Sequence, residues 1–114
     1  MKRALVVRLS QKAEQDFAEI LVWTVRQFGV AQAQTYAVTL RLALREVAHG
    51  AKTIGAMPRD DISPGIFLLH VARARRRGRH LVAFRVADEH HVDVLRILHE
   101  SMDLASHLSA VHEP

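Results

Sequence analysis

The hydrophobic positions change period along the chain. Ala4 to Leu9 is a short run, β-branched in its middle, that ends at Ser10, and it reads as a strand entering a helix N-cap. From Gln11 to Phe28 the apolar residues Ala13, Phe17, Ile20, Leu21 and Phe28 recur at helical spacing. Glu14, Asp16 and Glu19 lie toward the start of that segment, where negative charge suits the helix dipole, and Gly29 supplies a stop. A second helical pattern runs from about Ala31 to His49, with Tyr36, Leu40, Leu44, Val47 and Ala48 as its stripe and Gly50 just beyond. So short a connection forces the two helices back on each other as an antiparallel hairpin, the arrangement that buries both stripes together.

After an irregular connection from Ala51 to Gly65, rich in glycine, proline and aspartate, the pattern takes on strand character. Ile66 to Val71, His80 to Val86 and His91 to Leu98 are strand-length runs separated by Arg73 to Gly78 and by the turn Ala87-Asp88-Glu89-His90. Ser101 to about Leu108 closes the pattern as a short helix. The expected order is β-α-α-β-β-β-α. This predicts an α+β fold in which the N-terminal strand joins an antiparallel sheet and the helical hairpin covers one of its faces. The other face is expected to be partly open, with the basic segment at its margin. No repeat divides the chain, and 1–114 reads as a single domain.

Composition narrows the chemistry. The chain has no cysteine, which removes disulfides, thiolate nucleophiles and Cys-ligated metal, and suits a reducing cytoplasm. No apolar run is long enough to span a membrane, and the start, Met1-Lys2-Arg3-Ala4-Leu5-Val6-Val7, is broken by Arg8 well short of a secretory signal. The net charge of +4 is unevenly placed. Arg73, Arg75, Arg76, Arg77, Arg79 and Arg85 fall in one stretch without an acid, so the rest of the chain is slightly acidic. The arginine fork suits phosphates and carboxylates, so this segment is a candidate grip on nucleic acid, on an acidic target surface or on an acidic partner. The plainer alternative is a solvated turn that blunts edge pairing.

Arg96 stands inside an otherwise apolar strand. By alternation it shares the open face with Val94 and Leu98, opposite Leu95 and Ile97, free for a partner or braced by Asp93 or Asp103. Trp23 lies off the first helix's stripe, where core packing is the ordinary reading and a partner contact the other. The eight histidines do not make a metal motif: His90 and His91 are neighbours pointing apart on a strand, and no helical H-x-x-x-H occurs. No cofactor is expected.

The run Val94-Leu95-Arg96-Ile97-Leu98-His99-Glu100-Ser101-Met102-Asp103-Leu104-Ala105-Ser106-His107-Leu108 resembles the closing signature of ParE-type toxins in the RelE/ParE superfamily. Ala13, Asp16-Phe17-Ala18-Glu19-Ile20, Gly29, Gln32-Ala33, Tyr36, Leu40 and Leu44 resemble that family's helical hairpin. Pro58-Arg59, Ile62 and Pro64-Gly65 resemble the loop into its second strand, and Gly78-Arg79-His80 with Ala83-Phe84-Arg85 resembles the strand that follows.

The resemblance implies a RelE/ParE-like domain acting as the toxin of a type II toxin–antitoxin pair in a bacterial cytoplasm. Its partner would be a cognate antitoxin with an acidic or amphipathic tail, held in a toxin–antitoxin hetero-oligomer. ParE members are associated with DNA gyrase inhibition, whereas RelE members cleave messenger RNA on the ribosome. Cleavage through the 2′-hydroxyl needs a base, an acid and cations. No Tyr follows Tyr36 and no Lys follows Lys52, which leaves His99, His107 and Arg85 as the alternative catalytic set. The leading expectation is therefore a ParE-like inhibitor that works by binding, with Arg73, Arg75, Arg76, Arg77, Arg79 and Arg96 as partner-binding residues. The alternatives are a RelE-like mRNA endoribonuclease and an inactive member that binds an acidic partner.

Overall fold

A computed structural model describes residues 4–108. The basic start at 1–3, weighed above as part of a signal sequence, and the last positions, 109–114, lie outside the described residues. Strand β1 (Val6–Leu9) leads into helix α1 (Gln11–Phe28), and α2 (Val30–Glu46) follows directly. A 3₁₀ segment, Val47–Lys52, prolongs α2. Then come β2 (Met57–Pro58), β3 (Phe67–His70), β4 (His80–Val86), β5 (His91–His99) and helix α3 (Leu104–Leu108).

The helix boundaries follow local chemistry. Ser10 Oγ accepts the Ala13 N–H at 3.0 Å, capping α1. Gly29 takes φ 92°, a value that side chains disfavour, and its N–H returns to the Val25 carbonyl at 2.8 Å. The chain thus reverses in one residue, and α1 packs against α2 as an antiparallel hairpin.

The sheet runs β1-β5-β4-β3-β2. The three long strands form the expected antiparallel meander, but β1 pairs parallel to β5, so the sheet is mixed. β2 is an addition within the segment expected to be irregular; two residues ending in a proline carry no strand pattern.

Both faces of the sheet are covered. Leu69, Val71, Val82, Phe84, Val92, Val94 and Ile97 meet Ala13, Ile20, Leu40, Ala43 and Val47 beneath the hairpin. Ile66, Leu68, Ala83, Leu95 and Leu98 form a smaller core on the opposite face, closed by Leu104 and Leu108 of α3 and by Ile62. That face is therefore not open as expected: α3 folds across it. Burying a side chain as completely as Phe84 contributes roughly 1.5–3 kcal/mol, so the two clusters together hold the sheet between its covers.

One irregularity reorders β5. Ala83 pairs with Arg96 and Phe84 with Val94, which leaves Leu95 as an extra residue, a β-bulge. The extra residue shifts the alternation: Val92 and Val94 face the hairpin, Leu95 faces away, and Ile97 faces the hairpin again. Arg96 consequently does not share an open face with Val94 and Leu98. Its guanidinium reaches Asp16 of α1 through Nε and Nη2 at 2.8 and 3.0 Å, and neither Asp93 nor Asp103 braces it. Asp93 holds Arg8, and Asp103 holds Ser106.

Candidate functional site

The basic segment forms the connection between β3 and β4. Its sharpest bend spans Arg73 to Arg76, closed by the Arg76 N–H to Arg73 carbonyl bond at 2.8 Å. The two central residues, Ala74 (φ 49°) and Arg75 (φ 68°), are left-handed although neither is glycine. Each such conformation costs on the order of 1–2 kcal/mol. Glu46, the last residue of α2, offsets that strain. Arg73 Nε meets its carboxylate at 3.0 Å and Arg76 Nη1 at 3.7 Å. A carboxylate at a helix C-terminus faces the negative end of the dipole, so two cations there stabilise the helix end as well as the turn.

The clamp holds the loop against the helical hairpin, not at the margin of an open sheet face as expected. Two of its arginines are used internally. Arg75, Arg77 and Arg79 stay exposed, and among the described residues Arg75 and Arg77 make no ion pair, while Arg79 approaches Glu100 at 3.5 Å. Gly78 packs so closely that a Cβ there would stand 2.6 Å from Val71 and 2.7 Å from the Tyr36 hydroxyl.

Between this loop and the hairpin lies a groove of about 660 Å³. Trp23 and Phe28 of α1, Tyr36 of α2, Arg75 to Arg79, His80 and His99 line it. Trp23 is not a core residue: it is 55% exposed and meets Phe28, itself 62% exposed, edge-on at 5.9 Å. Phe28 thus leaves the stripe expected to be buried, and Thr24 and Asp16 are the buried polar residues on α1.

A hydrogen-bonded chain forms one end of the groove. Tyr36 accepts the Arg79 N–H at 3.3 Å, and its hydroxyl is hydrogen-bonded to His80 Nδ1 at 2.6 Å. The His80 and His99 rings stand edge-to-face, with centroids 5.3 Å apart. Ser101 N–H donates to His99 Nδ1 at 3.1 Å. With its Nδ1 accepting from a backbone N–H, the His99 ring presents Nε2–H as its free donor. Neither Nε2 has a partner among the described residues, and no buried side-chain nitrogen or oxygen there is unsatisfied, so both reach solvent.

Burial, with His99 adding to it, pushes the His80 pKa down to about 4, which leaves the ring neutral at pH 7. Burial also raises the Tyr36 hydroxyl above its ordinary value. His70 stands nearby in the same tautomer: Ala72 N–H donates to its Nδ1 at 3.0 Å, and its Nε2–H is given to Glu100 at 2.7 Å. That bond holds the Glu100 carboxyl below its usual range.

The structure disperses the alternative catalytic set. His99 lies in the groove. His107 sits on α3 with Nδ1 at 2.8 Å from the Asp103 carbonyl, and no contact joins it to His99 among the described residues. Arg85 donates from Nε and Nη2 to the Pro64 carbonyl at 3.2 and 3.0 Å and from Nη2 to Ser63 Oγ at 3.2 Å, fixing the loop before β3. Arg96 is held inward by Asp16. The partners that sequence reasoning passed over are His80, Glu46 and Tyr36 in its role against His80. Tyr36 read as stripe and His80 as the opening of a strand, and their meeting depends on how the loop folds. Among the described residues, no group of three His, Asp or Glu is placed to hold a metal.

The family model for the ParE toxin of the type II toxin–antitoxin system parDE matches residues 7–104. Toxin ParE1 of Mycobacterium tuberculosis is 34% identical over 105 residues, spanning 88% of this chain and 94% of the relative. Toxin ParE1 of Caulobacter vibrioides is 30% identical over 101 residues, spanning 89% and 95%. The fold is similar to a chain of the chromosomal ParDE TA system from P. aeruginosa, with a TM-score of 0.68 at 20% identity over 84% of this chain and 96% of that one. The signature that runs from the β5 bulge through α3, the capped hairpin and the family match over most of the chain agree, and the protein belongs to the ParE toxin family of type II toxin–antitoxin systems.

Proposed function

We propose that this ParE-family toxin arrests growth in the bacterial cytoplasm by binding DNA gyrase, without hydrolysing a substrate, and that a cognate antitoxin neutralises it. The observation that carries the reading against catalysis is the dispersal of His99, His107 and Arg85 onto separate structural tasks. General acid–base cleavage needs its groups within reach of one phosphate. Exposed Arg75, Arg77 and Arg79 suit a binding role instead. The test is gyrase supercoiling with the purified protein. Inhibition or a stabilised cleavage complex is expected; unaltered supercoiling at excess toxin rejects the reading.

One observation favours the RelE-like alternative. His80 stands beside His99, and both rings line an arginine-rich groove. That reading expects cut messages on translating ribosomes, and intact messages exclude it.

A further inference from the structure

The outer side of the arginine loop has a regular build. From Arg75 to His80 exposed and partly covered residues alternate: Arg75, Arg77 and Arg79 are exposed, and Arg76, Gly78 and His80 are half-buried between them. Three contacts hold that alternation. Arg76 is drawn to Glu46, a Cβ on Gly78 would collide with Val71 and Tyr36, and His80 bonds to the Tyr36 hydroxyl. The outer edge is therefore a row of three guanidiniums at two-residue spacing, and the segment from Arg73 to Arg79 contains no acid, no aromatic ring and no large apolar side chain. Arg75 and Arg77 make no ion pair among the described residues. Arg79, with its side chain 75% exposed, has a 3.5 Å contact to Glu100, a carboxylate that His70 already holds at 2.7 Å.

That composition selects among polyanions. A protein partner is anchored chiefly by aromatic and aliphatic side chains with charge at the rim, whereas the outer edge of this loop carries charge alone. Single-stranded nucleic acid is held by bases stacked on aromatic rings set among the cations, and the segment supplies no ring. Duplex DNA presents an unbroken row of phosphates and a polar surface, which a row of cations can follow without further help. The row is also ordered before a ligand arrives. Glu46 fixes the turn through Arg73 and Arg76 around the left-handed Ala74 and Arg75, so less conformational freedom is lost on binding. The remainder of the chain is slightly acidic, which confines the attraction to this loop.

We propose that Arg75, Arg77 and Arg79 bind the phosphate backbone of duplex DNA without reading its sequence. The contact stands on the loop's own charge and geometry and does not depend on the gyrase reading. In a complex with gyrase it would give the toxin a hold on DNA as well as on protein.

Fluorescence anisotropy of a short labelled duplex with the purified toxin tests this. Each phosphate contact adds about −0.9 to the slope of log K against log salt, so three give about −2.7, a loss of about fortyfold between about 50 and about 200 mM salt. The double variant Arg75→Gln, Arg77→Gln has no ion pair to lose and should keep the wild-type urea midpoint. Its slope should fall to about −0.9, a loss of about 3.5-fold over the same range, and Arg79→Gln alone should give about −1.8. Lys12→Gln, which removes an exposed cation at the opposite end of α1 from Trp23 and Phe28, should leave the slope unchanged. Duplexes of unrelated sequence should bind alike. Absence of binding at about 50 mM salt, an unchanged slope in the double variant, or an equal fall with Lys12→Gln overturns the proposal. So does tighter binding of a single-stranded RNA or of a polyglutamate peptide.

Supercoiling assays on the same samples keep the two readings apart. A toxin that binds duplex DNA with the expected slope but leaves supercoiling unaltered upholds the DNA contact and rejects gyrase as target. A toxin that inhibits supercoiling without binding DNA overturns the contact and leaves the gyrase reading standing.

Discussion

Asp16 of α1 receives both Nε and Nη2 of Arg96 from β5, and its Oδ2 also accepts the Ile97 N–H at 2.9 Å. The pair ties helix to sheet where β1 ends, with side chains only 11% and 15% exposed. The bond to Asp16 holds the Arg96 pKa above its ordinary value. Removing one partner leaves a nearly buried charge. Arg96→Met and Asp16→Leu should each cost about 3 kcal/mol, and the double variant clearly less than their sum. Urea unfolding of the four proteins measures this; strict additivity would show that the two residues do not act together.

His80 gives stability a pH dependence of known sign. Its folded pKa of about 4 lies below the ordinary histidine value of 6.5, so the unfolded chain binds more protons between these values. Stability should therefore fall as pH drops from about 6.5 toward about 4 and receive no further loss from this group below that. The carboxyls of Asp88, Asp103 and Glu100, held below their ordinary values by hydrogen bonds, contribute their loss at lower pH. His80→Asn, which keeps a hydrogen-bonding partner for Tyr36, should flatten the fall between about pH 7 and about pH 5. Identical slopes for the two proteins would assign the dependence elsewhere.

Ala74 pays for its left-handed backbone without the freedom of glycine. Ala74→Gly removes on the order of 1–2 kcal/mol of strain and adds about 0.5–1 kcal/mol of unfolded-chain entropy. A net gain of about 0.5–1 kcal/mol is expected, visible as a higher melting temperature. A loss would mean that the turn is not strained.

Glu46→Gln should loosen the arginine loop while leaving the core intact. The ion pairs are partly exposed, and losing about 1 kcal/mol of local stability raises the open population about fivefold. Limited trypsin digestion, which cuts after the exposed Arg75 and Arg77, should accelerate by that factor with little change in global unfolding. An unchanged cutting rate would show that the clamp does not hold the turn.

The extent to which this fold is legible in sequence follows from the range of each interaction. Ser10 and Gly29 act on neighbours three and four residues away, and both ends of α1 fall where the sequence places them. The long strands of the meander carry their own pattern. The bulge at Leu95 is different, because an extra residue in a strand is visible only against the partner that it fails to match. Alternation alone therefore pairs Arg96 with Val94 in error, and its partner Asp16 lies 80 positions away. The groove has the same origin. The arginines were conspicuous in sequence, but which of them are clamped and which are free depends on Glu46, and the role of His80 depends on a tyrosine 44 residues distant.

The parallel pairing of β1 with β5 has a consequence in time. Arg8 and Asp93 bond across the two strands at a separation of 85 residues, so during synthesis β1 must wait for nearly the whole chain before it has a neighbour. β5 is also the strand that supplies His99 to the groove and Ile97 to Asp16. A nascent chain halted before β5 therefore has neither a complete sheet nor a complete groove. The complete sheet, and with it the groove, is reached late, as the last long strand is made.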